Sequence, residues 1–235
     1  MRTIIWFIYF WLYLILVWPY SLYINFKTKR NQAPLDLIYK VVHKWASRLL
    51  FLAGVKVTVK GLENIPKGGA LIVSNHQGNF DIPILLSKLD KPKSIIAKLE
   101  LSRLPGISSW MKHFHCLFLD RGNARQSLKI MKEAQELIDN GLQVIIFPEG
   151  TRSKGSTPGE FQPAALKSAL SAEAPIVPVA IDGSYKVMEE HGFWIHPAEV
   201  KLTILPPIET CELSKERKKN LHNEVRDQII NIISN

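Results

Sequence analysis

Cysteine is nearly absent: Cys116 and Cys211 are the only two, and no CxxC occurs. That argues against a disulfide framework and a zinc knuckle, and it suits a reducing, cytosolic setting for most of the chain. The G-x-S-x-G elbow that presents a catalytic serine is missing, and so is the G-x-x-x-x-G-K-[ST] phosphate loop. Internal repeats and low-complexity linkers are lacking too, so the chain does not read as a repeat array. Acidic residues are outnumbered, 21 against 30 basic, giving a net charge of +9. An anionic partner is indicated, with nucleic acid, anionic lipid and phosphorylated substrates all open. Hydrophobic residues make up 46% of the 235 and aromatics 9%. Such a composition excludes disorder and allows one α/β domain with a sizeable core plus an appendage.

The appendage is N-terminal. Residues 4–24 carry no charge and are rich in Trp, Tyr, Phe, Leu and Ile, which makes them a membrane-span candidate. No small-x-small cleavage site comes after them, so a signal peptide fits less well. Pro19 is expected to kink or end the helix near Trp18. The residues before it would reach only ~22 Å, against a ~30 Å hydrocarbon core. Spanning with a kink and dipping into one leaflet both stay open. Lys27, Lys29 and Arg30 place the remainder of the chain on the cytoplasmic side by the positive-inside rule. Residues 34–54 read as a second helix, with Ile38, Val41, Val42, Trp45, Leu49 and Leu52 on one face and Lys40, Lys44 and Arg48 as a separate stripe. That stripe suits either solvent or anionic headgroups. Residues 1–54 are thus expected to be membrane-anchoring helices and 55–235 the α/β domain.

From Val55 the texture changes. Val55, Val57 and Val59 alternate with polar residues, and apolar strand-like runs recur at 70–73, 94–97, 116–119, 144–147, 176–181 and 200–205. Helical patterns lie between several of them. Residues 124–140 place Leu128, Met131, Ala134, Leu137 and Ile138 at helical spacing, and 163–172 begins with proline. The tail from Ser214 is an amphipathic helix with Leu221, Val225 and Ile229 inward. Strands alternating with helices predict a largely parallel sheet flanked by helices. In such sheets ligands gather at the carboxyl ends of the strands, where the polar loops 74–81, 98–104, 120–125 and 148–153 fall.

The first of these loops holds His76, with Asp81 five positions on at the expected start of a helix. Residues five apart do not share a helix face, so the two meet only if the loop folds back. An imidazole oriented by a carboxylate is a general base. Without a serine elbow, its target would be a hydroxyl of the substrate. The stretch FPEGTRS at 147–153 offers backbone N–H groups, hydroxyls and the Arg152 guanidinium, a set suited to phosphate. Glu149 would repel a phosphate, so it is expected to position Arg152 or accept from a substrate hydroxyl. Lys98, Arg121 and Arg125 add cations to the same rim. His113, His115 and Cys116 lack an evident third metal ligand, and no partner suggests itself for His191 or His196.

Four stretches together resemble the lysophosphatidic acid acyltransferase family. NHQGNFD at 75–81, KLELSRLPGISSWM at 98–111 running into FLDRGN at 118–123, FPEGTRS at 147–153 and IVPVAI at 176–181 stand in the family's order. The resemblance covers about residues 61–182. A common family form has serine where this chain has Gly78. The resemblance implies transfer of a fatty acyl group from a thioester to the sn-2 hydroxyl of lysophosphatidic acid, giving phosphatidic acid. It implies His76 as base and Asp81 as its orienter. Lys98, Arg121 and Arg152 would hold the phosphate in a pocket shaped by Glu149, Gly150 and Thr151. It implies no metal or prosthetic group, acyl-CoA or acyl-carrier protein as co-substrate, membrane lipid as a partner and no nucleic acid. A sister acyltransferase acting on glycerol-3-phosphate or another lysophospholipid would look nearly the same. A hydrolase using His76 on water and a non-catalytic lipid-binding protein fit the residues less well.

Overall fold

The structure, a computed structural model, describes residues 1–28, 35–90 and 93–234. Lys29, Arg30 and Pro34, which enter the sequence-based expectations, lie outside the described residues. One sheet is built from β1 (Lys56–Lys60), β2 (Ala70–Ser74), β3 (Lys93–Lys98), β4 (Leu117–Leu119), β5 (Gln143–Ile146), β6 (Ile176–Asp182) and β7 (Glu199–Ile204). Its order is β1-β7-β6-β2-β5-β3-β4. From β6 across to β4 every neighbour is parallel. The expected largely parallel sheet is therefore present. It departs at one edge, where β7 runs antiparallel to β6 and carries β1 with it. The cause is the connection after β6: it contains only the short 3-10 turns Ser184–Val187 and Glu189–His191. A parallel return needs a long crossover, usually helical.

Helices cover both faces. On one side lie α1 (Arg2–Thr28), α2 (Leu35–Ala53), α3 (Asp81–Lys88) and α4 (Ile107–His113), and on the other α5 (Ala124–Asp139), α6 (Lys167–Ala172) and α7 (Lys215–Ile233). β2 serves both cores because successive side chains alternate faces. Ala70 and Ile72 join the first cluster, Leu71 and Val73 the second. Leu221, Val225 and Ile229 of α7 are buried as expected, and Ser214 caps that helix by accepting from the Arg217 N–H at 3.2 Å. Two local expectations need correction. Leu128 is 58% exposed, because α5 turns Ile130, Met131, Ala134 and Ile138 inward instead. Residues 163–172 open as a 3-10 turn, Pro163–Leu166, before α6 begins.

α1 corrects a third. It continues through Pro19 to Thr28. A mid-helix proline forfeits a hydrogen bond and crowds the preceding turn, but contacts beyond Pro19 hold the helix on course. The Ser21 hydroxyl meets Ser109 at 2.8 Å and His113 Nε2 at 3.1 Å, and Ile24 is fully buried. His113 is thereby an interhelical contact. At the other end the Arg2 guanidinium donates to the Ala53 carbonyl at 3.0 Å and the Trp6 indole to that of Leu49 at 3.0 Å. α1 and α2 are thus antiparallel, and Trp6 packs on Phe80 beside Asp81. Trp6→Ala should cost about 3–5 kcal/mol of stability, read by denaturant unfolding in detergent. A loss below about 1 kcal/mol would mean that α1 is not docked on the domain.

Candidate active site

The four polar loops come after β2, β3, β4 and β5, parallel and contiguous strands, so they converge on one rim. The loop after β2 is fixed residue by residue. Asn75 extends the sheet with its side chain: its Oδ1 accepts from the Ile181 N–H at 2.8 Å and its Nδ2 donates to the Ile181 carbonyl at 2.9 Å. Gln77 Oε1 accepts from the N–H groups of Gly183 at 2.9 Å and Ser184 at 3.1 Å. With both neighbours pinned toward β6, His76 faces the other way and stacks on Phe147, ring centroids 4.1 Å apart. Its backbone N–H donates to Glu149 Oε1 at 2.7 Å and its carbonyl accepts from the Ser153 N–H at 2.8 Å.

Asp81, the first residue of α3, is fully buried where the helix dipole favours negative charge. Its Oδ2 lies 2.7 Å from His76 Nδ1 and accepts from the Gly78 N–H at 2.9 Å; its Oδ1 accepts from the Ser184 hydroxyl. A neutral imidazole that donates Nδ1–H to Asp81 carries its lone pair on Nε2, and among the described residues nothing hydrogen-bonds Nε2. The side chain is 18% exposed, so the ring is partly open to solvent. The loop folds back to join residues five apart, as the sequence requires. Such a pair can accept a proton and hold it as an imidazolium beside a carboxylate.

The loop after β5 turns at Gly150, whose φ of +75° is a left-handed conformation costly for other residues. The Arg121 guanidinium lies over that turn. Arg121 also lines two adjoining cavities. One, about 460 Å³, includes Phe147, Glu149, Gly150 and Thr151; the other, about 280 Å³, includes Lys98, Arg103 and Asp120. Lys98 pairs with Glu100 at 2.9 Å. Burial lowers the pKa of Arg121, with Glu100 acting against it. Glu149 does not pair with Arg152, one of its two expected roles: its Oε1 holds the His76 N–H at 2.7 Å and its Oε2 the Gly159 N–H at 2.8 Å. Burial raises its pKa, while those two N–H groups lower it. The carboxylate that reaches Arg152 is that of Glu189, at 3.2 Å from Nη1, which also donates to Asn79 Oδ1. Arg152 lines neither cavity. The expected phosphate ligands therefore form two groups, Lys98 and Arg121 with Gly150 and Thr151 in one, Arg152 in the other. Arg103, Ser184 and Glu189 escaped the sequence reading. Arg103 sits inside a stretch already singled out, but Ser184 and Glu189 lie more than 100 residues beyond the loop they contact.

A model of the acyltransferase family matches residues 56–182, which runs from β1 to the end of β6 and includes the four polar loops after β2, β3, β4 and β5. The chain belongs to the acyltransferase family. Two similar proteins, each named a probable 1-acyl-sn-glycerol-3-phosphate acyltransferase, come from Mycoplasma. That of Mycoplasma pneumoniae is 37% identical over 70% of this chain and 64% of its own. That of Mycoplasma genitalium is 34% identical over 87% and 81%. The crystal structure of the 1-acyl-sn-glycerophosphate (LPA) acyltransferase PlsC from Thermotoga maritima matches with a TM-score of 0.79 at 28% identity, covering 100% of this chain and 97% of that one. Beside the rim the chain has a further, wholly apolar cavity of about 190 Å³ bordered by α1, α2, α3, α4 and β3. Val17, Trp45, Leu86, Trp110 and Phe114 line it, together with Ile82, the residue after Asp81.

Proposed function

We propose that this acyltransferase moves a fatty acyl group from a thioester to the sn-2 hydroxyl of lysophosphatidic acid, forming phosphatidic acid. The observation that carries the reading is the His76–Asp81 pair at 2.7 Å on the rim of the sheet, in a chain whose relatives bear that activity in their names. His76 Nε2 takes the hydroxyl proton as the oxygen attacks the thioester carbonyl. The C–O bond forms, the C–S bond breaks, and the proton passes to the departing sulfur. Asp81 stabilises the imidazolium between those steps. A thioester carbonyl is already activated, so the reaction needs no metal or prosthetic group, and direct attack leaves positioning to supply much of the rate.

Two cationic groups offer themselves to the phosphate, Arg152 beside the His76 loop and Arg121 over Gly150, with Lys98 in the cavity next to Arg121 and Glu149 joining the loops after β2 and β5. The donor is acyl-CoA or acyl-carrier protein, either of which suits a net charge of +9. The apolar cavity is a place for a hydrocarbon chain. α1 is long and apolar enough to cross a membrane, and only 11% of its apolar window is buried. Because it is tied to the domain near both ends, insertion into one leaflet is the better-supported arrangement. Phe193 and Trp194, both exposed, adjoin its start, where Thr3 accepts from the Ile195 N–H at 2.9 Å. The basic residues Lys27, Lys29 and Arg30 that close the apolar stretch favour the anionic cytoplasmic leaflet.

The test offers the purified protein a panel of lysophospholipids and glycerol-3-phosphate with both thioester donors. Lysophosphatidic acid should have the highest kcat/KM; preference for glycerol-3-phosphate would make the chain a sister acyltransferase. Arg152→Ala should raise KM for lysophosphatidic acid by about tenfold or more, the scale of a lost charge-assisted contact. An unchanged KM and kcat would remove Arg152 from the phosphate site.

A further inference from the structure

Gly78 is the one glycine of the His76 loop, and its φ lies outside the left-handed region, so the backbone does not demand glycine there. Space does. A Cβ at residue 78 would lie 2.3 Å from Glu189 Oε2 and 2.7 Å from Glu189 Cδ, closer than atoms can approach. The Glu189 side chain is only 4% exposed. Its Oε1 accepts from the Asn79 N–H at 2.8 Å and from Arg152 Nη1 at 3.2 Å. Its Oε2 is buried without a hydrogen-bond partner among the described residues. Burial raises its pKa, countered by the Asn79 N–H and by Arg152. A buried carboxylate with one oxygen unmatched by any protein donor among the described residues contributes little to stability. What it does accomplish is geometric. It clamps one corner of the Arg152 guanidinium against Asn79, while no hydrogen bond among the described residues engages the Nε–Nη2 edge. That edge carries two parallel N–H donors and can grip an oxyanion bidentately.

We infer that Glu189 is a positioning residue that aims Arg152 at the phosphate of the acceptor lipid, and that residue 78 is glycine to admit it. The inference rests on the reading of Arg152 as a phosphate ligand. It makes the loop after β6 part of acceptor recognition, and it couples residues 78 and 189 as a unit.

The test is a double-mutant cycle of Gly78→Ala and Glu189→Ala in the full chain, with steady-state kinetics on lysophosphatidic acid and melting temperature in detergent. Each single variant should raise KM for lysophosphatidic acid by about tenfold, with kcat and the donor KM within about twofold, and the double variant should be no worse than either. Glu189→Gln, whose amide carbonyl still accepts from Asn79 and Arg152, should restore KM to within about threefold of the parent. Should Glu189→Ala fail to fold, Glu189→Asp is read the same way, since it withdraws the carboxylate from both residue 78 and Arg152. Multiplicative penalties in the cycle, or a loss confined to kcat, overturn the inference. If Arg152→Ala raises KM and Glu189→Ala does not, only the inference fails. If Arg152→Ala leaves KM unchanged, the phosphate reading fails first and takes the inference with it.

Discussion

His76→Ala should slow acyl transfer by about 100- to 10,000-fold, the usual worth of a general base, while the protein still folds. The fold survives because the backbone of residue 76 does the structural work. Its N–H to Glu149 and its carbonyl to Ser153 are unaffected by truncation. Asp81 also keeps two donors, the Gly78 N–H and the Ser184 hydroxyl, so no buried carboxylate is left bare. The losses are the lone pair on Nε2 and the ring that stacks on Phe147. Circular dichroism and melting temperature check the fold, and single-turnover kinetics the chemical step. Near-full activity in a folded variant would sink the proposed mechanism.

Asp81→Asn is expected to fall in the same range, about 100- to 10,000-fold in kcat, with little change in either KM. Asparagine fits the site: its carbonyl can accept from His76 and Gly78 while its amide donates to Ser184, whose hydroxyl turns round. Shape is preserved and charge is lost. The imidazolium formed during proton transfer then has no counter-charge, an interaction made only on the way to the transition state, so kcat carries the effect. A variant that changed KM alone would place Asp81 in substrate binding.

Locality decides which features the sequence alone could reveal. β2, β5 and β6 are buried on both faces, so each appears as an unbroken apolar run. The amphipathic α7 declared itself through Leu221, Val225 and Ile229 for the same kind of reason. His76 and Asp81 were legible because one loop contains both. Glu189 and Ser184 were not, since only the pairing of β6 with β2 brings the loop after β6 onto the rim. The reversal of β7 was equally hidden, as a strand's apolar pattern carries no direction. Pro19 misled because its cost is local and the contacts of Ser21 and Ile24 that offset it are tertiary. Gly78, which departs from a common form of the family, was illegible for the same reason: its neighbour Glu189 is 111 positions away in the chain and adjacent only in the fold.

The most direct measurement uses a thioester donor with a labelled acyl group, sn-1-acyl lysophosphatidic acid and the purified protein. The account predicts label in phosphatidic acid at the sn-2 position, with one thiol released per labelled product, and none of this above background in His76→Ala. Label recovered as free fatty acid, or as an acyl group bound to the protein, would contradict direct transfer to the lipid hydroxyl.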